Sequence, residues 1–137
     1  MAPSEDAMTT KVRALGEVAL RVNDLALMRR FYEDVLHLEP LGVFDESVFY
    51  RLAPGHAGHT QVFVLFARGV PVSAQASTVD HIAFTIDRED FDAERSRLEA
   101  LGLQVKLAYH DWVQWRSLYV HDPEGNNIEL VCHDPTT

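Results

Sequence analysis

Polarity alternates at the start of the chain. Val18, Leu20 and Val22 are separated by Glu17, Ala19 and Arg21, the period-two pattern of a strand with one buried face. Asn23 or Asp24 can then cap a helix. Leu25, Met28, Tyr32, Val35 and Leu36 recur at spacings of three and four, one apolar stripe with Arg29, Arg30, Glu33 and Asp34 mostly outside it. Pro40 and Gly42 are expected to end this helix. Short strands are expected near 41–46 and 47–52. Pro54 to Thr60 reads as a turn-rich loop, and the apolar run 61–67 as a further strand.

The plan then repeats. Val79 to Ile86 reads as a strand presenting His81 on one face. Aligned with the strand 64 positions earlier, Glu17 meets His81, Val18 meets Ile82, Ala19 meets Ala83, Leu20 meets Phe84 and Val22 meets Ile86. Asp87 is the expected cap of a second helix. Phe91, Glu94 or Arg95, Leu98 and Leu101 mark its period, and Gly102 its stop. Strands near 103–109, 115–121 and 127–132 follow, the last two joined by a turn at Asp122–Asn126.

Each half therefore reads strand–helix–strand–strand–strand. The expected fold class is α+β: two βαβββ modules, about 14–68 and 79–133, within a single domain 14–133 behind a flexible N-terminus 1–13. Gly69 to Thr78 serves as an internal linker. One helix covers one face of each sheet, so the other faces are free to line a cup: a curved mixed sheet with its helices outside. By parity that inner face carries Glu17, Ala19 and Arg21, then His81, Ala83 and Thr85, then Glu129, Val131 and His133. Ile128, Leu130 and Cys132 look toward the helix.

The chain has 137 residues, enough for one domain with a real core. It contains no apolar run of membrane-spanning length. A single cysteine, Cys132, forms no internal disulfide, which fits a cytoplasmic location. The formal net charge of −9 argues against nucleic acid or an anionic membrane surface as partners.

Glu129 is the most informative residue for chemistry, because it interrupts the apolar strand Asn127–Cys132. A carboxylate there is costly unless paired, protonated or metal-bound. A strand glutamate can also simply reach solvent, and a lone strand histidine such as His81 is commonly structural. Glu17, His81 and Glu129 together, each on an inner face, form an N/O donor set suited to divalent iron, manganese, zinc, cobalt or nickel. His110 and Tyr119 are candidate proton-transfer groups. Trp112 and Trp115 can stack on a flat ligand or pack at the base of their loop. Cys132 reads as a small core residue, His37 as a helix-end residue, and His56 and His59 as solvated loop residues.

Four segments carry a resemblance: Glu17-Val-Ala-Leu-Arg-Val-Asn-Asp-Leu, Arg30-Phe-Tyr-Glu-Asp-Val-Leu, Asp80-His-Ile-Ala-Phe, and Ser117-Leu-Tyr-Val-His-Asp-Pro-Glu-Gly-Asn-Asn-Ile-Glu-Leu. Over roughly 14–133 the chain resembles the vicinal oxygen chelate superfamily, which includes glyoxalase I, extradiol dioxygenases, fosfomycin-resistance enzymes and bleomycin-resistance proteins. The resemblance implies metal ligands at the start of each half's first strand and in the last strand of the second half. His81 and Glu129 match two of these positions, and Glu17 stands where histidine is more usual. Val64, the apparent counterpart of Glu129 in the first half, has no ligand atom, which weighs against glyoxalase I activity.

Two functions are therefore expected to compete. One is a divalent-metal-dependent enzyme with dioxygenase-like or other open-site chemistry on a small oxygen-bearing organic substrate. The other is a metal-free protein that sequesters a small cationic or aromatic molecule, as bleomycin-resistance proteins do. The resemblance also implies a homodimer.

Overall fold

The computed structural model describes residues 11, 13–71, 76, 77 and 79–135. Most of the expected flexible N-terminus, and residues 72–75 and 78 of the linker expected over Gly69 to Thr78, lie outside these residues. The chain divides into two compact units, at Gly69/Val70. Each holds a four-stranded mixed sheet with one helical layer, so both expected βαβββ modules are present. No helix among the described residues is long and apolar enough to cross a membrane.

In the first unit β1 (Glu17–Val22) runs parallel to β4 (His59–Ala67), which pairs antiparallel with β3 (Ser47–His56), and β3 with β2 (Glu39–Val43). Asp24 is the cap of α1 (Leu25–Arg30), its carboxylate accepting from the Leu27 amide at 3.0 Å. The helix does not continue as α to Pro40. Its second half, Phe31–Val35, is wound as a π-helix closed by Leu36 N–H donating to Phe31 C=O, and the chain leaves through His37 at φ 59°. His37 thus makes the left-handed exit turn, and Pro40 and Gly42 lie in β2.

The wider turn accompanies a tight aromatic core. Tyr32 and Phe63 have ring centroids 4.8 Å apart, and Tyr50 stacks on Phe63 at 6.3 Å. All three are fully buried with Met28, Val48 and Leu65. The Tyr50 hydroxyl donates to Glu33 Oε2 at 2.8 Å, and the Arg29 guanidinium holds the same oxygen at 2.8 Å.

The expected loop 54–60 is instead the tip of a hairpin. β3 extends to His56 and β4 begins at His59, with Ala57 and Gly58 between them at φ 51° and 84°. Positive φ at both central residues matches the twist of the flanking strands.

In the second unit β5 (Ile82–Thr85) runs parallel to β8 (Asn127–His133). β8 pairs antiparallel with β7 (Trp115–His121), and β7 with β6 (Lys106–His110). Asp87 makes no side-chain cap. A 3-10 turn, Arg88–Asp90, leads instead into α2 (Phe91–Ala100), which stops at Gly102 with φ 87°. Phe91 and Leu98 bury the helix against the sheet, and the Arg116 guanidinium lies 4.1 Å from the Phe91 ring centroid.

Parity in this sheet is as expected. Ile128, Leu130, Cys132, Leu118 and Val120 are buried on the helix side. The registers Ala83↔Glu129, Tyr119↔Glu129 and Ser117↔Val131 set Ala83, Ser117, Tyr119, Glu129 and Val131 on the opposite face.

Candidate metal centre

The site grows from the register of β5, β7 and β8. Position 129 lies between two strands, so its carboxylate is buried, at 6 % exposure, although it faces away from the helix. A buried carboxylate needs partners, and both of its oxygens have one. Oε2 accepts from the Ser117 hydroxyl at 2.6 Å, and Oε1 stands 3.1 Å from His81 Nε2. His81 directly precedes β5, and its other ring nitrogen, Nδ1, lies 2.8 Å from Asp80 Oδ2.

This is a histidine held by a carboxylate on one nitrogen, with the other nitrogen aimed at a second carboxylate. Two donors each about 2.1 Å from a shared ion at a right angle stand about 3 Å apart. The His81–Glu129 separation of 3.1 Å fits that edge. Were an ion bound, the buried Ser117 and the 93 % exposed Asp80 would stand in the outer positions that orient ligands. The residues present therefore fit two ligands of a divalent ion.

Tyr119 sits directly across from Glu129. Burial pushes its phenol above the ordinary tyrosine value, and the negative charge of Glu129 pushes it further the same way. The group is a protonated donor at neutral pH. Its hydroxyl lies 3.3 Å from His110 Nε2, and its ring meets His81 edge-on at 6.4 Å. His81, Glu129, Tyr119 and His110 are thus brought onto one sheet face. Glu17 opens β1 of the first unit and is exposed. Among the described residues no group of three or more His, Cys, Asp or Glu is placed to hold a metal ion.

Sequence reasoning did not assign roles to Asp80 or Ser117. Asp80 is the sequence neighbour of His81, and Ser117 is two positions before Tyr119 on the same parity, so both carried a signal. Trp112 lies on the four-residue turn 111–114 and Trp115 opens β7, their ring centroids 6.4 Å apart, and Trp112 is 85 % exposed. Cys132 is buried on the helix side.

The registers also place the counterparts in the first unit. Ala19↔Val64 in β1–β4 mirrors Ala83↔Glu129 in β5–β8, and Phe49↔Val64 mirrors Tyr119↔Glu129. Ser47↔Phe66 likewise mirrors Ser117↔Val131. The first unit keeps the frame and the serine but has Val64 and Phe49 where the second has Glu129 and Tyr119.

Comparison with known proteins gives one consistent family. The chain is 27% identical over 121 residues to metallothiol transferase FosB of Staphylococcus epidermidis, covering 88% of this chain and 82% of that one. It is 25% identical over 120 residues to fosfomycin resistance protein FosX of Listeria innocua, covering 87% and 89%. Among solved structures, a glutamate-to-glutamine variant of FosX from Listeria monocytogenes, in complex with Mn(II) and 1S,2S-dihydroxypropylphosphonic acid, superposes with a TM-score of 0.68 at 25% identity, covering 90% of this chain and 93% of that one. The family model for the Glyoxalase/Bleomycin resistance protein/Dioxygenase superfamily matches residues 14–130, and the chain belongs to that superfamily.

Proposed function

We propose that the chain is a divalent-metal-dependent enzyme acting on a small oxygen-bearing organic substrate, with His81 and Glu129 as metal ligands. The observation that carries this reading is the pair of donor atoms 3.1 Å apart, each oriented from behind by Asp80 or Ser117. Relatives named as a metallothiol transferase and as a Mn(II) complex support a metal in general. Glu17 is the proposed third ligand.

A bound divalent ion would polarise substrate oxygens and stabilise negative charge developing on them. Around it the chain's own groups have separable tasks. Asp80 holds the His81 ring by Nδ1, leaving Nε2 to bind. Ser117 fixes Glu129 by one oxygen, leaving the other to bind. Tyr119 keeps its proton and donates a hydrogen bond to a substrate oxygen. His110, with Nε2 3.3 Å from the Tyr119 hydroxyl, is the group beside it that moves a proton to or from the substrate. Few protein ligands leave coordination positions for substrate, as open catalytic sites require.

Elemental mass spectrometry on untagged protein purified without chelator tests the reading. The expected result is one equivalent of a divalent transition metal per chain, lost in Glu129→Gln. Loss of affinity in Glu17→Gln would establish the third ligand, and unchanged affinity would remove Glu17 from the set. Protein that stays metal-free after incubation with each ion would overturn the enzyme reading. The exposed Trp112–Trp115 pair would then make stacking of an aromatic ligand the reading to pursue.

A further inference from the structure

At one end of the first sheet, β3 and β4 turn back between two histidines. His56 and His59 are directly opposed in the ladder, so their side chains leave the same face of the hairpin. Gly55, Ala57 and Gly58 all have positive φ, which fixes the path of this tip. The segment before β1 is fastened beside it. Gln61 Nε2 donates to the Leu15 carbonyl at 3.0 Å, and the Val62 amide donates to the Gly16 carbonyl at 3.0 Å. Gly16 lets segment and hairpin approach closely, since a Cβ there would stand 3.3 Å from the His59 ring.

Between them lies a cavity of about 290 Å³, lined by Lys11, Arg13, His56, His59 and residues 14–16. Its charge runs against that of the chain. Asp and Glu outnumber Lys and Arg by 21 to 12 overall, yet two of the cations and two of the seven histidines line this cavity and no carboxylate does. Like charges held together repel, and a bound counter-charge relieves the repulsion.

The cavity is separate from the candidate metal centre. Glu17 and Val62 are register partners, and Gly16 and His59 have the opposite parity to them. Phe63 shares the parity of His59 and packs on Tyr32 of the helical layer. The cavity therefore lies on the helix side of the first sheet, and Glu17 leaves the other side.

We infer that this cavity is an anion site that holds the phosphate group of a small molecule. The Arg13 fork takes two phosphate oxygens, Lys11 adds a point charge, and the two imidazoles supply further N–H donors. A phosphate monoester presents three terminal oxygens and nearly two negative charges, which suits four donor side chains. A carboxylate, with two oxygens and one charge, leaves donors unused. Leu15, 61 % exposed, gives the carbon skeleton an apolar contact. Binding here requires no metal and does not rest on the function proposed above.

The test is protein-detected NMR titration of the untagged full-length chain in excess chelator at constant ionic strength. The probes are inorganic phosphate, phenyl phosphate and benzoate. Phenyl phosphate is expected to saturate, with shifts centred on Leu15, Gly16 and the 55–60 hairpin. Benzoate should bind about tenfold more weakly, the loss expected for a charge-assisted hydrogen bond. Arg13→Gln should weaken phenyl phosphate by about tenfold as well, and His59→Gln should weaken it in the same direction. Arg30→Gln removes the same charge from an exposed position on α1, outside the cavity, and should leave the affinity unchanged.

The two phosphates separate the sources of the anion. Tighter binding of phenyl phosphate identifies an organic phosphate monoester, and equal or tighter binding of inorganic phosphate identifies the free ion. The inference is overturned by no saturable binding of either phosphate at millimolar concentration, by equal affinity for benzoate, or by equal losses in Arg13→Gln and Arg30→Gln. Metal uptake is measured separately and does not depend on Arg13. Failure of this site and failure of the metal reading are therefore distinguishable.

Discussion

The Ser117 hydroxyl donates to Glu129 Oε2 at 2.6 Å across the β7–β8 ladder, and this bond decides which carboxylate oxygen is left for His81. Both residues are buried, so the bond has no water to replace it. Ser117→Ala should cost about 1–3 kcal/mol of stability by leaving a buried acceptor unpaired. It should also weaken metal affinity about 10- to 100-fold, the usual effect of removing an outer-sphere partner. Denaturant unfolding and metal titration calorimetry read the two losses separately.

Tyr119 offers a spectroscopic check on the same cluster. Burial is the first cause of its raised pKa and the Glu129 charge the next. Replacing Glu129 by glutamine removes the second cause and leaves the first. The tyrosinate absorbance titration of that variant should therefore show the Tyr119 transition at lower pH than in the unaltered protein, but still above that of a free tyrosine. A Tyr119→Phe control assigns the transition. An unmoved midpoint would mean that the two groups are not in contact.

The Arg29–Glu33–Tyr50 cluster makes the first unit acid-sensitive. The Arg29 hydrogen bond is the largest cause holding the Glu33 carboxyl below the ordinary glutamate value, with the Tyr50 hydroxyl adding to it. A depressed carboxylate contributes stability that is present above its unfolded-state pKa and lost as pH falls through its folded-state pKa. Tyr50→Phe should lower stability by about 1 kcal/mol at neutral pH, the net worth of one hydrogen bond, or somewhat more because the acceptor is charged. It should also flatten the loss of stability below the glutamate range. Urea unfolding at a series of pH values measures both.

Two glycines in one hairpin should respond differently. Gly55 has φ 72°, and a Cβ there would run into the carbonyl oxygen of His59. Gly58 has φ 84°, and a Cβ there would meet nothing within 4 Å. Gly58→Ala should therefore cost only the left-handed backbone penalty, about 1–2 kcal/mol. Gly55→Ala adds a backbone collision and should lower the thermal midpoint much further. Thermal unfolding of the two variants side by side is the measurement.

Much of this frame was legible because β1, β5 and β8 alternate cleanly, and the helix stripe at 25, 28 and 32 has the right spacing. What was missed depended on partners distant in sequence. The extension of β3 and β4 through 54–60 requires pairing across glycines that, read locally, only signal a turn. The π-wound segment accompanies the packing of Tyr32 on Phe63, which no local propensity records. At the site, parity set His81 and Glu129 on inner faces, and Tyr119 joined them only through the register of β7 on β8. The Ser117–Glu129 bond needed the cross-strand register.

The matched registers of the two units have a consequence for how such a protein changes. In β8 the helix side, Ile128, Leu130 and Cys132, is committed to the core, while most of the other side is not. The first unit shows the same backbone frame tolerating Val64 and Phe49 where the second carries Glu129 and Tyr119. Folding instructions and chemical instructions are thus written on alternate positions of the same strands. New specificities can be introduced on one set without renegotiating the other, and the doubled frame leaves one half intact while its twin is altered.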